Sequence, residues 1–278
     1  MKIAVVTDIH HGPQSHNKLE GWNGLPVLER FLTWAEGIEA DLVLDLGDHI
    51  SDVDRDADVR HMREVAKVFA STRLPRMHVL GNHDVVNLAQ AESEDIFEYS
   101  MASRITTLAD VRIIAWQPDV HITRGVGFCA TGEHLDWLIA TLEADERPAL
   151  VATHVPVSGH AQTGNYYFET RPEYSTYPDH ARVRQAVEGT GKVAAWFSGH
   201  VHWNTISTIN GLRHVTIQSM SERFTSMPDH AEAYGLIEIA EGALSTTVYG
   251  NDPFHVQVPF RPSGQSGWLV RGQGGGHG

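Results

Sequence analysis

Aspartate, histidine and asparagine side chains recur in five short blocks, each of which follows an apolar run. In chain order the blocks are Asp8-Ile9-His10, Gly47-Asp48-His49, Gly81-Asn82-His83-Asp84, His154 and Gly199-His200-Val201-His202. Carboxylate, imidazole and amide donors together suit divalent cations such as manganese, iron, cobalt or zinc. The blocks therefore predict a metal centre built from residues that are far apart along the chain.

The composition favours a metal-binding enzyme over a nucleic-acid-binding protein. Among 278 residues there are 18 histidines, nearly as many as the 21 lysines and arginines together. The net charge of −14 repels a phosphate backbone, so nucleic acid is not an expected partner. The single cysteine, Cys129, excludes both an intrachain disulfide and an all-thiolate metal site.

No apolar run approaches the ~20 residues that a membrane-spanning helix needs, so a membrane is not an expected partner either. The chain opens with Met1-Lys2 and then a strand-like apolar run, which leaves no room for a signal peptide. The expected location is the cytoplasm.

Strand-like and helix-like patterns alternate over most of the chain and must position the five blocks. Apolar runs at 5–7, 42–44, 77–80, 150–152 and 193–197 predict buried strands, with helical periodicity in the segments between them. After Asn204 only short strand-like segments follow, separated by turn signals. This order predicts an α/β fold in which two packed sheets are flanked by helices.

The predicted strands also suggest how the blocks come together. Loops at the carboxyl ends of parallel strands lie along one edge of a sheet, so we expect the blocks to converge there. Within Asp8-x-His10 and His200-x-His202, extended backbone would turn both side chains to the same side.

Three regions make up the predicted domain organisation. Residues 1–261 form one domain, and residues 262–278 form a flexible glycine-rich tail. Within the domain, residues 156–178 form a long polar loop on the substrate side of the site. Tyr166 and Tyr167 in this loop are candidate substrate contacts, because they could stack on a base or an aryl group. Packing against their own domain or a partner subunit is the alternative, and a homo-oligomer is possible.

The five blocks in this order resemble the motif set of the calcineurin-like metallophosphoesterases, D-x-H, G-D, G-N-H-[DE], H and G-H-x-H. The resemblance spans roughly residues 1–220 and implies a four-layer α-β-β-α sandwich of two mixed sheets. It also implies two divalent metal ions, with Asp48 bridging both. The ligands would be Asp8, His10, Asp48 and His202 for one ion, and Asp48, Asn82, His154 and His200 for the other.

The resemblance further implies a reaction in which a hydroxide that bridges the metals attacks phosphorus. His83 would stabilise the transition state or protonate the departing alkoxide, and Asn82 and His83 would contact the substrate. The side chain of His83 would need an orienting acceptor. Asp84 and Asp52 are the two candidates, and the sequence does not choose between them. Asp84 is predicted, with His83, to be a catalytic residue.

Within the family, the blocks look closest to the bacterial class III cyclic-nucleotide and glycerophosphodiester phosphodiesterases. Protein serine/threonine phosphatases have a glutamate where Asp84 stands, and lipid-A pathway pyrophosphohydrolases have an arginine in place of His83. The predicted activity is hydrolysis of a small-molecule phosphodiester. The alternatives are a phosphomonoesterase or nucleotide pyrophosphatase on the same site, and a scaffold without catalysis.

Overall fold

Two six-stranded sheets lie at the centre of the structure, a computed structural model that describes residues 1–12 and 22–263. The first sheet contains, in spatial order, β14 (Phe254–Pro259), β13 (Ala243–Tyr249), β12 (Tyr234–Ala240), β1 (Lys2–Val6), β2 (Leu42–Asp45) and β3 (Arg76–His78). The second contains β10 (Thr205–Ile209), β11 (Leu212–Thr216), β9 (Val193–Ser198), β8 (Ala149–Ala152), β5 (Val111–Ala115) and β4 (Arg104–Leu108). The short strands β6 (Ile122–Thr123) and β7 (Gly127–Phe128) form a separate hairpin.

Both sheets are mixed, with parallel strands next to the site. In the first sheet β1, β2 and β3 are parallel, and β12, β13 and β14 continue it antiparallel. In the second, β11, β9, β8 and β5 are parallel, with antiparallel strands at both edges. Every residue of β2, β8 and β9 is buried. This explains why these strands read as continuous apolar runs instead of alternating patterns.

Within residues 1–12 and 22–263, five α-helices cover the outer faces of the sheets: α1 (Leu25–Gly37), α2 (Arg55–Phe69), α3 (Gln90–Phe97), α4 (Glu133–Glu143) and α5 (His180–Thr190). Helix α1 has a proline in its first turn, where the missing N–H costs no hydrogen bond. Helix α2 is capped by Asp54, whose side chain accepts a hydrogen bond from the N–H of Ala57 at 2.9 Å.

The buried side chains form three apolar clusters that define the layers. Alternate residues of β1 point to opposite faces, so Ile3 and Val5 pack with Ile113 and Leu150 between the sheets. On the other face, Ala4 and Val6 pack under α1 and α2. The second sheet packs under α4 and α5 in the same way. The predicted four-layer α-β-β-α sandwich is confirmed.

The expectation that the five blocks lie along one sheet is wrong. Strands β1, β2 and β3 belong to the first sheet, whereas β8 and β9 belong to the second. The blocks meet because the two sheets are packed together and the relevant strand ends lie at the same end of the sandwich. Of the predicted tail, residues 264–278 lie outside the described part of the chain. None of the helices in the described part is long and apolar enough to cross a membrane.

Candidate metal centre

Seven side chains from the five blocks converge at the end of the sandwich. One group consists of Asp8, His10, Asp48 and His202, and a second of Asp48, His154 and His200, with the possible ligand atoms of each group within 4.8 Å of one another. Asn82 joins the second group, since its Oδ1 lies 3.2 Å from Nε2 of His154. Asp48 belongs to both groups. A carboxylate shared in this way can lie between two neighbouring cations and offset their mutual repulsion.

The first group has the geometry of ligands around one cation. Nε2 of His202 lies 3.1 Å from Oδ1 of Asp8 and 3.1 Å from Nε2 of His10. Nε2 of His10 in turn lies 3.6 Å from Oδ2 of Asp48. Imidazole nitrogens and carboxylate oxygens that all face one small buried volume match the donor set of a borderline divalent metal. These residues therefore fit a metal ion.

In the second group, hydrogen bonds fix which imidazole nitrogen is available. Nδ1 of His154 donates to the carbonyl of Leu46 at 2.8 Å, so Nε2 faces Asp48 at 3.3 Å. Nε2 of His200 donates to the carbonyl of Tyr174 at 2.6 Å, which leaves Nδ1 for a ligand bond. Outer hydrogen bonds of this kind set the tautomer and orientation of metal-binding histidines.

The backbone at the site is unusual. Five of the seven side chains come from residues with positive φ: 51° at Asp8, 48° at His10, 55° at Asp48, 67° at His200 and 58° at His202. This region costs energy for residues other than glycine, and such strain clusters at functional sites. The expectation that extended backbone turns the paired side chains to one side is therefore wrong. Left-handed turns orient them, and bonds such as His10 N–H to the Asp48 carbonyl at 3.0 Å hold the turns in place.

The glycines of two blocks allow the loops to approach closely. A Cβ atom at Gly81 would lie 2.1 Å from Oδ1 of Asp48. At Gly199 it would lie 2.0 Å from Oγ1 of Thr7 and 2.4 Å from Oδ2 of Asp8. Any side chain at these positions would collide with a carboxylate of the cluster, so the G-N and G-H pairs are a steric requirement of the site.

His83 lies beside the cluster and contacts Asp52. Its N–H donates to Oδ1 of Asp48 at 2.8 Å, and its Nδ1 is hydrogen-bonded to Oδ1 of Asp52. Its ring centre is 5.0 Å from that of His10. Burial opposes the charged form, but the Asp48 charge and the hydrogen bond to Asp52 outweigh it and raise the pKa of His83. Of the two candidate acceptors, Asp52 is the one that the structure places against His83.

Asp84 lies underneath the metal-site loops. Its fully buried carboxylate accepts hydrogen bonds from the N–H groups of Asp48 at 3.0 Å, His49 at 2.8 Å and Gly81 at 2.9 Å. It also binds Nδ1 of His49 at 2.8 Å. Asp84 therefore ties the second block to the third.

A second buried carboxylate continues this network. Asp45 contacts Nε2 of His49 and Nδ1 of His78, the latter at 2.7 Å. Burial disfavours charge on His49, but the carboxylates of Asp45 and Asp84 outweigh it and raise its pKa well above the usual value. Burial would raise the pKa of Asp45, yet the His49 charge holds it below its usual range. The protonated imidazole between two carboxylates thus braces the loop that carries Asp48.

We expect Asp45→Asn to destabilise the protein by about 3 kcal/mol, because the change removes one of the two carboxylates that offset the buried charge of His49 and leaves that charge only partly compensated. The free energy of unfolding from urea titration measures this effect. The matched control is Asp95→Asn, which makes the same change at an exposed position of α3 and should stay within about 0.5 kcal/mol of the unchanged protein. Equal stability of the two variants would contradict the bracing role.

Glu222 is a site residue that no motif or spacing marks in the sequence. Its carboxylate is 1% exposed, and Oε2 lies 3.2 Å from Nδ1 of His202. The hydroxyl of Tyr166 donates to the same oxygen at 3.2 Å. The N–H groups of Arg223 and Phe224 bind Oε1 at 2.7 and 3.1 Å. Glu222 therefore fixes the ring of His202 and connects it to the loop 156–178.

A cavity of about 730 Å³ opens over the cluster. Asp48, Asn82, His83, His200 and His202 contribute to its lining, together with residues of the β6–β7 hairpin and of the loop 156–178. Tyr166 and Tyr167, the two predicted substrate contacts, lie on this wall and are 52% and 40% exposed. The cavity has room for a phosphate ester with substituents.

The two-sheet sandwich places two groups of potential metal ligands, which share Asp48, at one end of the fold. The chain belongs to the calcineurin-like phosphoesterases, since the model of that family matches residues 1–204. The predicted family is thereby confirmed. No curated protein matches the sequence.

Solved structures share the fold at low sequence identity. A dimetal phosphatase from Danio rerio superposes with a TM-score of 0.72 at 15% identity, covering 93% of this chain and 98% of that one. GAP50, the anchor in the inner membrane complex of Plasmodium, has a TM-score of 0.61 at 11% identity, covering 95% and 90%. The phosphopantetheinyl hydrolase of Mycobacterium tuberculosis has a TM-score of 0.50 at 12% identity, covering 78% and 89%. At these identities the similarity establishes the fold alone.

Proposed function

We propose that the protein hydrolyses small-molecule phosphodiesters at a centre of two divalent metal ions. The observation that carries this proposal is the pair of ligand groups that share Asp48 next to His83. A carboxylate between two cations offsets their mutual repulsion. Without cations, the buried carboxylates of Asp8 and Asp48 would repel each other, which costs free energy. The arrangement therefore fits a site for two metal ions.

The ligand assignment follows the two groups. The first ion is held by Asp8, His10, Asp48 and His202, and the second by Asp48, Asn82, His154 and His200. When bound, such a pair of ions lowers the pKa of water and withdraws electron density from the phosphoryl oxygens. Manganese, iron, zinc and cobalt all suit this donor set.

The protein itself supplies substrate orientation and proton transfer. Nδ1 of His83 is bonded to Asp52, so Nε2 is the nitrogen that we assign to contact with the leaving oxygen. The hydrogen bond to the Asp52 carboxylate favours a protonated ring, which can stabilise the transition-state charge or protonate the departing alkoxide. Asn82 also contacts the substrate in this proposal. Asp84 acts indirectly, by positioning the backbone of Asp48 and Gly81.

The cavity favours a diester over a monoester. Its wall carries Tyr166, Tyr167 and Ile122, so a second substituent on the phosphate would meet aromatic and apolar surface instead of water. Such surface stabilises an organic group by burial and stacking. A phosphomonoesterase or a nucleotide pyrophosphatase on the same ligand set is the alternative activity, and a scaffold without catalysis is the alternative class.

Metal analysis combined with paired substrates tests the proposal. The purified protein is analysed for bound transition metals and is then assayed on 4-nitrophenyl phosphate and 4-nitrophenyl phenyl phosphate with added manganese. We expect bound metal and faster turnover of the diester. Faster turnover of the monoester would overturn the diester assignment, and metal-free protein that is silent on both esters would support the scaffold.

Glu222→Gln should weaken metal binding at the position that contains His202. An amide can still accept the hydrogen bond from Nδ1, but it lacks the negative charge that makes the imidazole a more basic ligand, and such outer changes typically cost about 10- to 100-fold in metal affinity or activity. Competition with a chromophoric chelator measures the affinity. Glu98→Gln, an exposed control, should leave it unchanged. Unaltered affinity in Glu222→Gln would show that the charge of Glu222 does not contribute to metal binding through His202.

A further inference from the structure

Two segments form the outer wall of the cavity and are hydrogen-bonded to each other. The first is the β6–β7 hairpin, and the second is the part of the loop 156–178 that includes a 3-10 helix, Pro172–Tyr174. The N–H of Gly125 in the hairpin donates to the hydroxyl of Tyr174 at 2.5 Å. A Cβ at Gly127 would lie 2.1 Å from the carbonyl oxygen of Glu173. The wall is therefore a preformed surface made by both segments.

Two arginines, Arg124 and Arg171, line the cavity from this wall, one from each segment. The guanidinium carbon of Arg171 lies 4.7 Å from the ring centre of Tyr167. Nη1 of the same arginine donates to the carbonyl of Tyr167 at 3.3 Å. Stacking on the aromatic face and the backbone contact restrict the arginine to the wall. A guanidinium held in this way offers a planar set of donors that matches a carboxylate or a phosphate.

The charges in the cavity are separated by position. The acidic groups of the lining, Asp48 and Asp52, belong to the metal-site end and have histidine partners there. Among the described residues that line the wall, the permanently charged side chains are the two arginines, and His121 there contacts Asp119. In a chain of net charge −14, a cavity wall with two arginines stands out against the overall charge. An anionic group at the wall would accept hydrogen bonds from the two guanidinium groups. An anionic group at the opposite end of the cavity would bind to the metal ions of the proposed centre.

We propose that Arg124 and Arg171 form a subsite for a second anionic group, carried by the substrate arm that is not cleaved. The scissile phosphoryl group lies at the metal centre in this arrangement, so the inference rests on the proposed function and narrows its substrate class. The preferred diesters carry a carboxylate or a further phosphate on an aromatic or apolar arm, which contacts Tyr167 and Ile122 on the way to the arginines. Neutral-armed diesters contact the metal centre and the aromatic wall without the arginines.

Three diesters with the same 4-nitrophenyl leaving group test the subsite. Their second arms are phenyl, 4-carboxyphenyl and 4-phosphonophenyl, so the three compounds differ only in the charged group and its type. We expect kcat/KM of the unchanged enzyme to be about tenfold higher for the charged arms, the size of one charge-assisted contact. Preference for the carboxylate arm or the phosphonate arm identifies which oxyanion the subsite takes.

The double variant Arg124→Gln/Arg171→Gln should raise KM for the charged arms about tenfold. Its effect on kcat, and on KM for the phenyl arm, should be far smaller than its effect on KM for the charged arms. Arg171→Lys keeps the positive charge but loses the planar guanidinium. Its KM values for the charged arms should lie between those of the unchanged enzyme and the double variant. Arg182→Gln, an exposed position on α5 outside the cavity lining, is the control. Equal KM values for all three arms in the unchanged enzyme would overturn the subsite.

A binding measurement separates failure of the subsite from failure of the proposed function. Calorimetric titration uses the non-hydrolysable benzylphosphonate analogues of the phenyl and 4-carboxyphenyl diesters with the manganese-loaded protein. Tighter binding of the charged analogue, lost in the double variant, supports the subsite even if no diester is cleaved. Turnover of the phenyl-armed diester together with identical affinity for both analogues overturns the subsite and leaves the proposed activity in place.

Discussion

Asp48→Asn is expected to lower kcat/KM by about 10³-fold or more, since both metal ions and the charge stabilisation that they provide depend on this side chain. Asp48 belongs to both ligand groups, lies 3.3 Å from Nε2 of His154 and accepts the N–H of His83. An amide keeps the size of the side chain but removes the negative charge between the two cations. We therefore expect metal content to fall at both positions, measured by elemental analysis of the purified variant.

A loss at both positions separates Asp48 from the other ligands. His10→Ala, for example, removes a ligand from the first group only and should leave the second ion in place. Asp95→Asn controls for the chemical change itself. Retention of two ions per chain in Asp48→Asn, or the loss of one alone, would show that Asp48 does not bridge two cations.

The residues of the two groups could be picked out from the sequence because their signals are local. Each block follows a buried strand, and the buried strands are recognisable as apolar runs. The convergence depends on long-range packing, so its details were not predictable. Pairing across two sheets brings His200 N–H to within 3.0 Å of Oδ2 of Asp8, and no pattern in either block shows which sheet each strand joins.

Residues that act through other residues were also hidden. Glu222 follows no motif, and its role appears only when β11 places the loop beside His202. The choice between Asp52 and Asp84 required coordinates, because Asp84 is adjacent to His83 in sequence whereas Asp52, 31 residues away, is the one that reaches its Nδ1. The β6–β7 hairpin has strands of two residues each, and it contacts the 3-10 helix through Tyr174. In contrast, β14 alternates apolar and polar residues, a pattern that does predict an edge strand.

His83→Ala is expected to leave metal content nearly unchanged and to lower kcat by about 10²- to 10⁴-fold for esters with poor leaving groups. The side chain lies beside the ligand groups and is not a member of either. Its loss removes the proposed proton donor, which matters most for a basic alkoxide and least for a stabilised phenolate such as 4-nitrophenolate. Steady-state kinetics on a series of diesters with graded leaving-group pKa values measures the difference as a steeper dependence of rate on leaving-group pKa.

Asp52→Asn is the companion variant that separates proton donation from other roles of His83. An amide at position 52 still accepts a hydrogen bond from Nδ1 of His83 but no longer stabilises the charged imidazole. The dependence of rate on leaving-group pKa in Asp52→Asn should therefore lie between those of the unchanged enzyme and His83→Ala. If His83→Ala slowed all leaving groups equally while two metal ions remained bound, the imidazole would stabilise the phosphoryl group and not the leaving oxygen. In that case the proton would have to come from solvent, and the Asp52 contact would serve to orient the ring toward the transferring group.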